Sequence, residues 1–177
     1  MCYKYAAALT YWGYSSVGRA SRSHREGQGF ESPYLHLTSL IEFSVSTPTR
    51  ETLVDITERI RAALPSLGEE FTGMVCVFVP HTTAGITINE GADPSVARDL
   101  VDALARIVPR QAGYRHAEGN SDAHVKASLM GSHVVVPVQD GRLRLGTWQS
   151  IYLAEFDGPR TRRVWVMPIS AGDRVRL

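Results

Sequence analysis

From His133 to Ile169 the chain reads as strand and turn throughout, and this stretch constrains the fold most. The segments HVVVPV, RLRLGTWQ, IYLAEF and RRVWVMPI are separated by turn signals at Asp140-Gly141 and at Asp157-Gly158-Pro159. Asp-Gly turns between apolar runs predict hairpins, and hairpins predict antiparallel pairing. A sheet of this kind needs a cover for its apolar face, and the preceding segments supply one.

Ile41 to Ser46 alternates apolar and polar residues, as a half-buried strand does, and ends near Pro48. Leu53 to Leu64 places Val54, Ile56, Ile60, Ala63 and Leu64 near one helical face and predicts a helix closed by Pro65 and Gly68. Met74 to Val79 is a continuous apolar run too short for a helix, and predicts a buried strand. After Pro80-His81-Thr82-Thr83, alternation resumes over Ala84 to Glu90. A helix follows, capped by Asp93, opened by Pro94 and ended by Pro109, with Val96, Leu100, Leu104, Ile107 and Val108 on one stripe. A shorter one is expected from Asp122 to Met130, capped by Ser121 or Asn120 and stopped by Gly131. The fold class is therefore α+β: a compact antiparallel β-sandwich-like domain with two to three helices.

Residues 1–37 stand apart. Ser, Gly and Arg are scattered through SSVGRASRSHREGQGFESP with no sustained period, which predicts a disordered leader. An Arg- and Ser-rich organelle transit peptide is one reading. A better one starts from GFESP, residues 29–33, which a transfer-RNA T-arm sequence would encode. On that reading the start was placed too early, over a tRNA gene, and the native domain is 38–177. The DNA beneath codons 14 to 34 decides it.

The formal net charge of +1 gives no field for a phosphate backbone, so nucleic acid is not an expected partner. No apolar run reaches the roughly 18 residues of a membrane span. Cys2 and Cys76 are too few for a disulfide framework, and Cys76, inside MVCVFV, suits a small core residue in a reducing, cytoplasmic setting. After Lys4 the sole lysine is Lys126, although the chain holds nineteen Lys and Arg, which hints at a role that Arg cannot fill.

Lys126 lies in the densest group of chemically able residues, YRHAEGNSDAHVKASLM, residues 114–130. His116 and His124 with His81 are three nitrogen donors, as in a catalytic zinc site with an open position. Their bland alternative is a backbone hydrogen bond for His81 and two surface imidazoles. Glu118, Asp122, Asp93 and Glu90 suit acid/base work or a hard cation such as Mg²⁺, although capping already explains Asp93. Asn120 and the start of the following helix suit an anion, with Lys126 adding charge or simply solvated. Trp148 either stacks on a flat heteroaromatic ring, with Gln149 reading its edge, or fills the core, and composition favours core. Arg160 either clamps a phosphate or decorates a turn.

VPHTTAGITINE, HAEGNSDAHVKASLMGS and DGRLRLGTWQSIYLAEFDGPR, in that order and spacing, resemble the YjbQ family of secondary thiamine-phosphate synthase-type proteins. The resemblance runs from about Leu40 to Ile169. It implies a compact α+β sandwich that assembles as a homotrimer. It also implies joining of a hydroxymethylpyrimidine diphosphate to a thiazole phosphate with loss of pyrophosphate. The matching positions are His81, Asn89, His116, Glu118, Asn120, His124, Lys126, Thr147, Trp148, Gln149 and Glu155.

Set against the chemistry, Glu118, Lys126 and His124 are the catalytic candidates. Asn89, Asn120, Thr147, Trp148, Gln149 and Arg160 are the candidates for a small phosphorylated or heterocyclic substrate, and His81, His116 and His124 for a divalent metal, zinc before magnesium. The sequence lacks a pair of acid-rich diphosphate motifs, which weighs toward the synthase being a side activity. The competing expectations are a metal-dependent hydrolase, with Glu118 as base, and a non-catalytic module that binds a small ligand.

Overall fold

The computed structural model describes residues 40–169, and the leader with its expected disorder lies outside the described residues. Two antiparallel sheets and three helices make an α+β sandwich. One sheet has five strands in the order β1 (Ile41–Ser46), β8 (Thr161–Ile169), β3 (Gly73–Phe78), β5 (His133–Gln139), β6 (Arg142–Leu143). The other has three, β2 (Thr52–Asp55), β7 (Gln149–Glu155) and β4 (Ala84–Glu90). Val45, Val75, Val77, Val136, Val164 and Val166 of the first sheet pack with Ile86, Ile151 and Leu153 of the second. Ile56, Ile60 and Leu64, from α1 (Thr57–Ala63) and its flanks, join the same core.

Side chains alternate along a strand, so β7 serves two layers. Ile151 and Leu153 face the core between the sheets, while Ala154 packs with Phe156, Ala123 and Ala127 under α3 (Ser121–Met130). Close packing there requires Gly85, where a Cβ would stand 2.8 Å from the carbonyl oxygen of Gly131. The longer helix α2 (Pro94–Ile107) is capped as expected, Asp93 Oδ1 accepting from the Ser95 amide at 2.8 Å. It rides high on the molecule, however, with none of its own residues buried and Ile107 70% exposed.

Four expectations change. The predicted helix over Leu53–Leu64 starts later, because Thr52–Asp55 pairs with β7 and Asp55 Oδ1 then accepts from the amide and hydroxyl of Thr57. A β-branched strand thus precedes the helix and shares its apolar residues. MVCVFV is buried on one face alone: Val75 and Val77 are sealed, whereas Met74 is 48% exposed and Cys76 and Phe78 are half-buried. RLRLGTWQ is not one strand: Arg142–Leu143 belongs to the five-stranded sheet and Gln149 already opens β7 in the other, with residues 144–148 crossing between them. Finally, β7 and β8 do not form a hairpin.

That last difference matters for function. The Asp140-Gly141 turn does join paired strands, with both residues at positive φ, 51° and 67°, as a tight hairpin requires. Asp157-Gly158-Pro159 instead carries the chain from the three-stranded sheet to the five-stranded one. A Cβ on Gly158 would stand 2.4 Å from the carbonyl oxygen of Thr49, so the crossing is pressed against the β1–β2 loop. The residues just before β2 and just after β7 are thereby held together.

Candidate functional site

Six charged side chains meet where that crossing faces α3. Lys126, fully buried, places Nζ 2.8 Å from Glu51 Oε1 and 3.2 Å from Asp122 Oδ2. Arg50 gives one nitrogen to Asp122 Oδ1 at 2.8 Å and another to Asp157 Oδ1 at 2.9 Å. Asn120 donates to the second oxygen of Asp157 at 3.1 Å, as does Arg160 at 2.7 Å. Arg50 Nε stands 4.0 Å from Glu51 Oε1, so the contacts close into a ring.

Burial alone would push the Asp122 carboxyl up. The hydrogen bond from Lys126 and the charges of Arg50 and Lys126 outweigh it and hold Asp122 below the usual carboxylate range. Asp157 is depressed in the same way, Asn120 and Arg160 overcoming its burial. Asn120 occupies the expected N-cap position of α3, but no side chain caps the helix there, because the amide of Asn120 is turned to Asp157. Arg50, Glu51 and Asp157 are functional candidates that sequence reasoning missed. The first two follow Pro48-Thr49 in what reads as a plain connector, and Asp157 reads as a turn residue.

Next to the ring, Glu155 is sealed and saturated. Its two oxygens accept from Arg162, from the Thr47 hydroxyl and from the amides of Phe156 and Asp157. Burial raises its pKa, and Arg162 with the Asp157 amide more than reverses that. With every lone pair engaged, Glu155 holds the turn in place.

The histidines lie on the other flank of α3. His116 and His124 meet edge-on, ring centroids 5.3 Å apart, and His116 Nε2 is 3.6 Å from the exposed carboxylate of Glu118. His81 and His124 share a cleft of about 520 Å³ with Ser128 and Gly131. His81 Nε2 accepts the Arg163 backbone N–H at 2.8 Å, so the neutral ring carries its proton on Nδ1 and keeps no free lone pair. Burial, then Arg162 and Arg163, lower its pKa and favour that neutral form. Among the described residues, no three His, Cys, Asp or Glu side chains stand close enough to share a metal ion. Within one copy of the chain His124 adjoins both His81, across the cleft, and His116, ring to ring.

The remaining candidates are elsewhere. Asn89 and Glu90 pair with Ser150 and Gln149 at one end of β4 and β7, and Ala84 pairs with Glu155 at the other. Six strand steps separate the two ends, about 20 Å. Thr147, Trp148, Gln149 and Asn89 therefore stand at the opposite end of the sheet from the ring of charges. Trp148 is 66% exposed, so it is no core residue, contrary to what composition favoured. Gln149 Oε1 accepts from the Gly146 amide, and Asn89 Oδ1 from the Glu90 amide, both at 2.8 Å.

Comparison with known proteins gives a consistent result. A UPF0047 protein of Methanocaldococcus jannaschii is 47% identical over 140 residues, covering 79% of this chain and 99% of the relative. YugU of Bacillus subtilis, another UPF0047 protein, is 46% identical over 69% of this chain and 92% of its own length. Among solved structures, a YjbQ/UPF0047 protein of Clostridium acetobutylicum superposes with a TM-score of 0.70 at 51% identity, covering 73% of this chain and 99% of that one. A protein of Sulfolobus solfataricus described as YbjQ-like and of unknown function gives 0.70 at 32% identity, covering 73% and 95%. The family profile described as UPF0047 protein YjbQ-like matches residues 41–171, and the chain belongs to that family.

Proposed function

We propose that the protein is an enzyme of the secondary thiamine-phosphate synthase type, joining a pyrimidine diphosphate to a thiazole phosphate as a side activity of a site built for small phosphorylated heterocycles. The observation that carries this reading is the ring of charges at the start of α3, with Arg160 on its rim. Loss of pyrophosphate calls for fixed positive charge where the leaving group departs. Lys126 is engaged by Glu51 and Asp122, so its part is to hold those carboxylates. Arg160, with a side chain about half exposed, is the cation in reach of the leaving group, next to an uncapped helix start that favours anions. His124 and Glu118, on the exposed flank, are the proposed acid and base. A divalent metal, zinc before magnesium, belongs to the same proposal, with His81, His116 and His124 as the residues that would hold it and Lewis-acid assistance to the leaving group as the chemistry it would supply.

The proposal includes assembly as a homotrimer. Its support is the outer face of the five-stranded sheet, where Met74, Val135 and Ile169 are exposed beside Cys76, Phe78 and Met167. Trp148 and Gln149 would serve this substrate from another copy, because their own ring lies a strand length away. Light scattering of the purified protein is expected to give three times the chain mass. A monomer would remove this part of the reading.

The activity is tested by supplying a hydroxymethylpyrimidine diphosphate with a thiazole phosphate and following pyrophosphate. Release is expected from the native protein. Arg160→Ala should raise KM for the diphosphate about tenfold, the worth of one charge-assisted contact, with an unchanged melting temperature. Turnover of simple phosphate esters without any pyrophosphate release would identify a hydrolase instead.

A further inference from the structure

Arg160 is fixed twice over, its backbone by one residue and its side chain by another. Thr47 Oγ1 accepts the Arg160 amide at 2.9 Å, and the Thr47 amide donates to the Arg160 carbonyl oxygen at 2.8 Å. Asp157 takes one edge of the guanidinium: Nε donates to its carbonyl oxygen at 2.6 Å and Nη2 to its Oδ2 at 2.7 Å. A guanidinium carries its N–H donors in one fixed plane, so filling one edge decides where the other points. The donors on Nη1 and the second on Nη2 make up that outer edge, on a side chain that is 53% exposed. Such a fork matches two oxygens of a single phosphoryl group.

An arginine without an internal partner spreads over many rotamers, and ordering it on binding weakens affinity. Asp157 removes that loss in advance, because it is itself fixed. Its side chain is 12% exposed, Oδ1 accepts from Arg50 at 2.9 Å, and Oδ2 also accepts from Asn120 at 3.1 Å. Asn120 stands at the start of α3, and Arg50 is tied to Asp122 in the same helix. The helix that carries His124 and the cation on the rim are therefore set in one frame, with Asp157 as the joint.

We infer that Asp157 is the positioning residue of the anion contact: its carboxylate and carbonyl oxygens hold one edge of Arg160 so that the free edge grips a pyrophosphate group. This inference rests on the reading of Arg160 as the leaving-group cation, and adds what aims it. If Asp157 only offset the charge of Arg160, removing that carboxylate would strengthen anion binding. Aiming has the opposite sign once salt screens the charge difference.

Calorimetry of inorganic pyrophosphate with the full chain tests this in about 0.5 M salt, where the Debye length is about 4 Å. Asp157→Asn removes the charge, and Asp157→Glu keeps it one methylene farther out. Each is expected to weaken binding about three- to tenfold, against about tenfold for Arg160→Ala. In the Arg160→Ala background neither should have a further effect, because Asp157 acts through Arg160; a general contribution to folding would persist there. A second measurement uses the native chain alone. Nitrogen-15 relaxation of the Arg160 Nε–H is expected to give an order parameter above about 0.6, the upper bound for flexible groups.

Native-like or tighter binding in either Asp157 variant overturns the inference, as does an equal loss in the Arg160→Ala background or an order parameter below that bound. A tenfold loss in Arg160→Ala would then still support the proposed contact. No binding by the native protein, or native-like binding in Arg160→Ala, overturns both.

Discussion

With Lys126 replaced by methionine, the protein is expected to lose about 3–5 kcal/mol of stability, the usual cost of removing one partner from a buried ion pair. Methionine fills nearly the same space, so the loss comes from charge and not from a cavity. Asp122 is sealed and keeps only Arg50, while Glu51 keeps no partner closer than the 4.0 Å contact to Arg50 Nε. A solvated lysine on a helix surface would instead change stability by less than about 0.5 kcal/mol. Urea denaturation of Lys126→Met separates the two, and Asp122→Asn in the same chain should recover part of the loss. A midpoint close to that of the native protein would mean that Lys126 does not hold the ring.

The second large effect is expected at Arg162→Met, and it should depend on pH. In the native protein Glu155 and Asp122 have folded pKa values below their unfolded ones. Such groups contribute stability above the unfolded carboxylate value, roughly pH 4, and lose it as pH falls through the depressed folded value. Removing Arg162 leaves Glu155 its burial without its strongest counter-charge, so its folded pKa should rise above the unfolded one. The sign of its contribution then reverses. The variant is expected to be about 3–5 kcal/mol less stable than the native protein at pH 7, with the gap narrowing on acidification below about pH 4.5. Paired urea titrations at pH 7 and pH 3.5 measure this. A gap that stayed constant or widened in acid would refute the account of Glu155.

The strands were legible because period-2 alternation and Asp-Gly turns are local signals. Ile41–Ser46, Ala84–Glu90 and the Asp140-Gly141 hairpin all follow from neighbouring residues. Where a strand goes is a different matter. Nothing in IYLAEFDGPRTRRVWV says that the chain changes sheets at Gly158, where the backbone lies against the Thr49 carbonyl, more than a hundred positions away. The same distance hid half of the site. Asn120, Asp122 and Lys126 could be picked out from one dense stretch, but Arg50 and Glu51 carry no local mark of their task. Trp148 and Gln149 were conspicuous as residue types, and their position depends on which end of β7 they flank, which spacing does not encode.

One property of α3 bears on the order of events in folding. Its buried side carries Asp122 and Lys126 beside two alanines, Ala123 and Ala127, while the larger Val125 and Leu129 face outward, 40% and 61% exposed. A helix that buries charges and only small apolar side chains, with its larger aliphatic residues outside, gains little from early collapse, which rewards broad apolar faces. Its anchors, Arg50, Glu51 and Asp157, come from far before it and well after it in the chain. On a ribosome, α3 would therefore emerge with Arg50 and Glu51 already made, while Asn120 at its start waits for Asp157 until the turn after β7 arrives. Pulse-labelled hydrogen exchange during refolding is expected to show α3 amides protected with β7 or later, and protection ahead of β7 would contradict this. The helix richest in candidate chemistry would then be the piece that sets last.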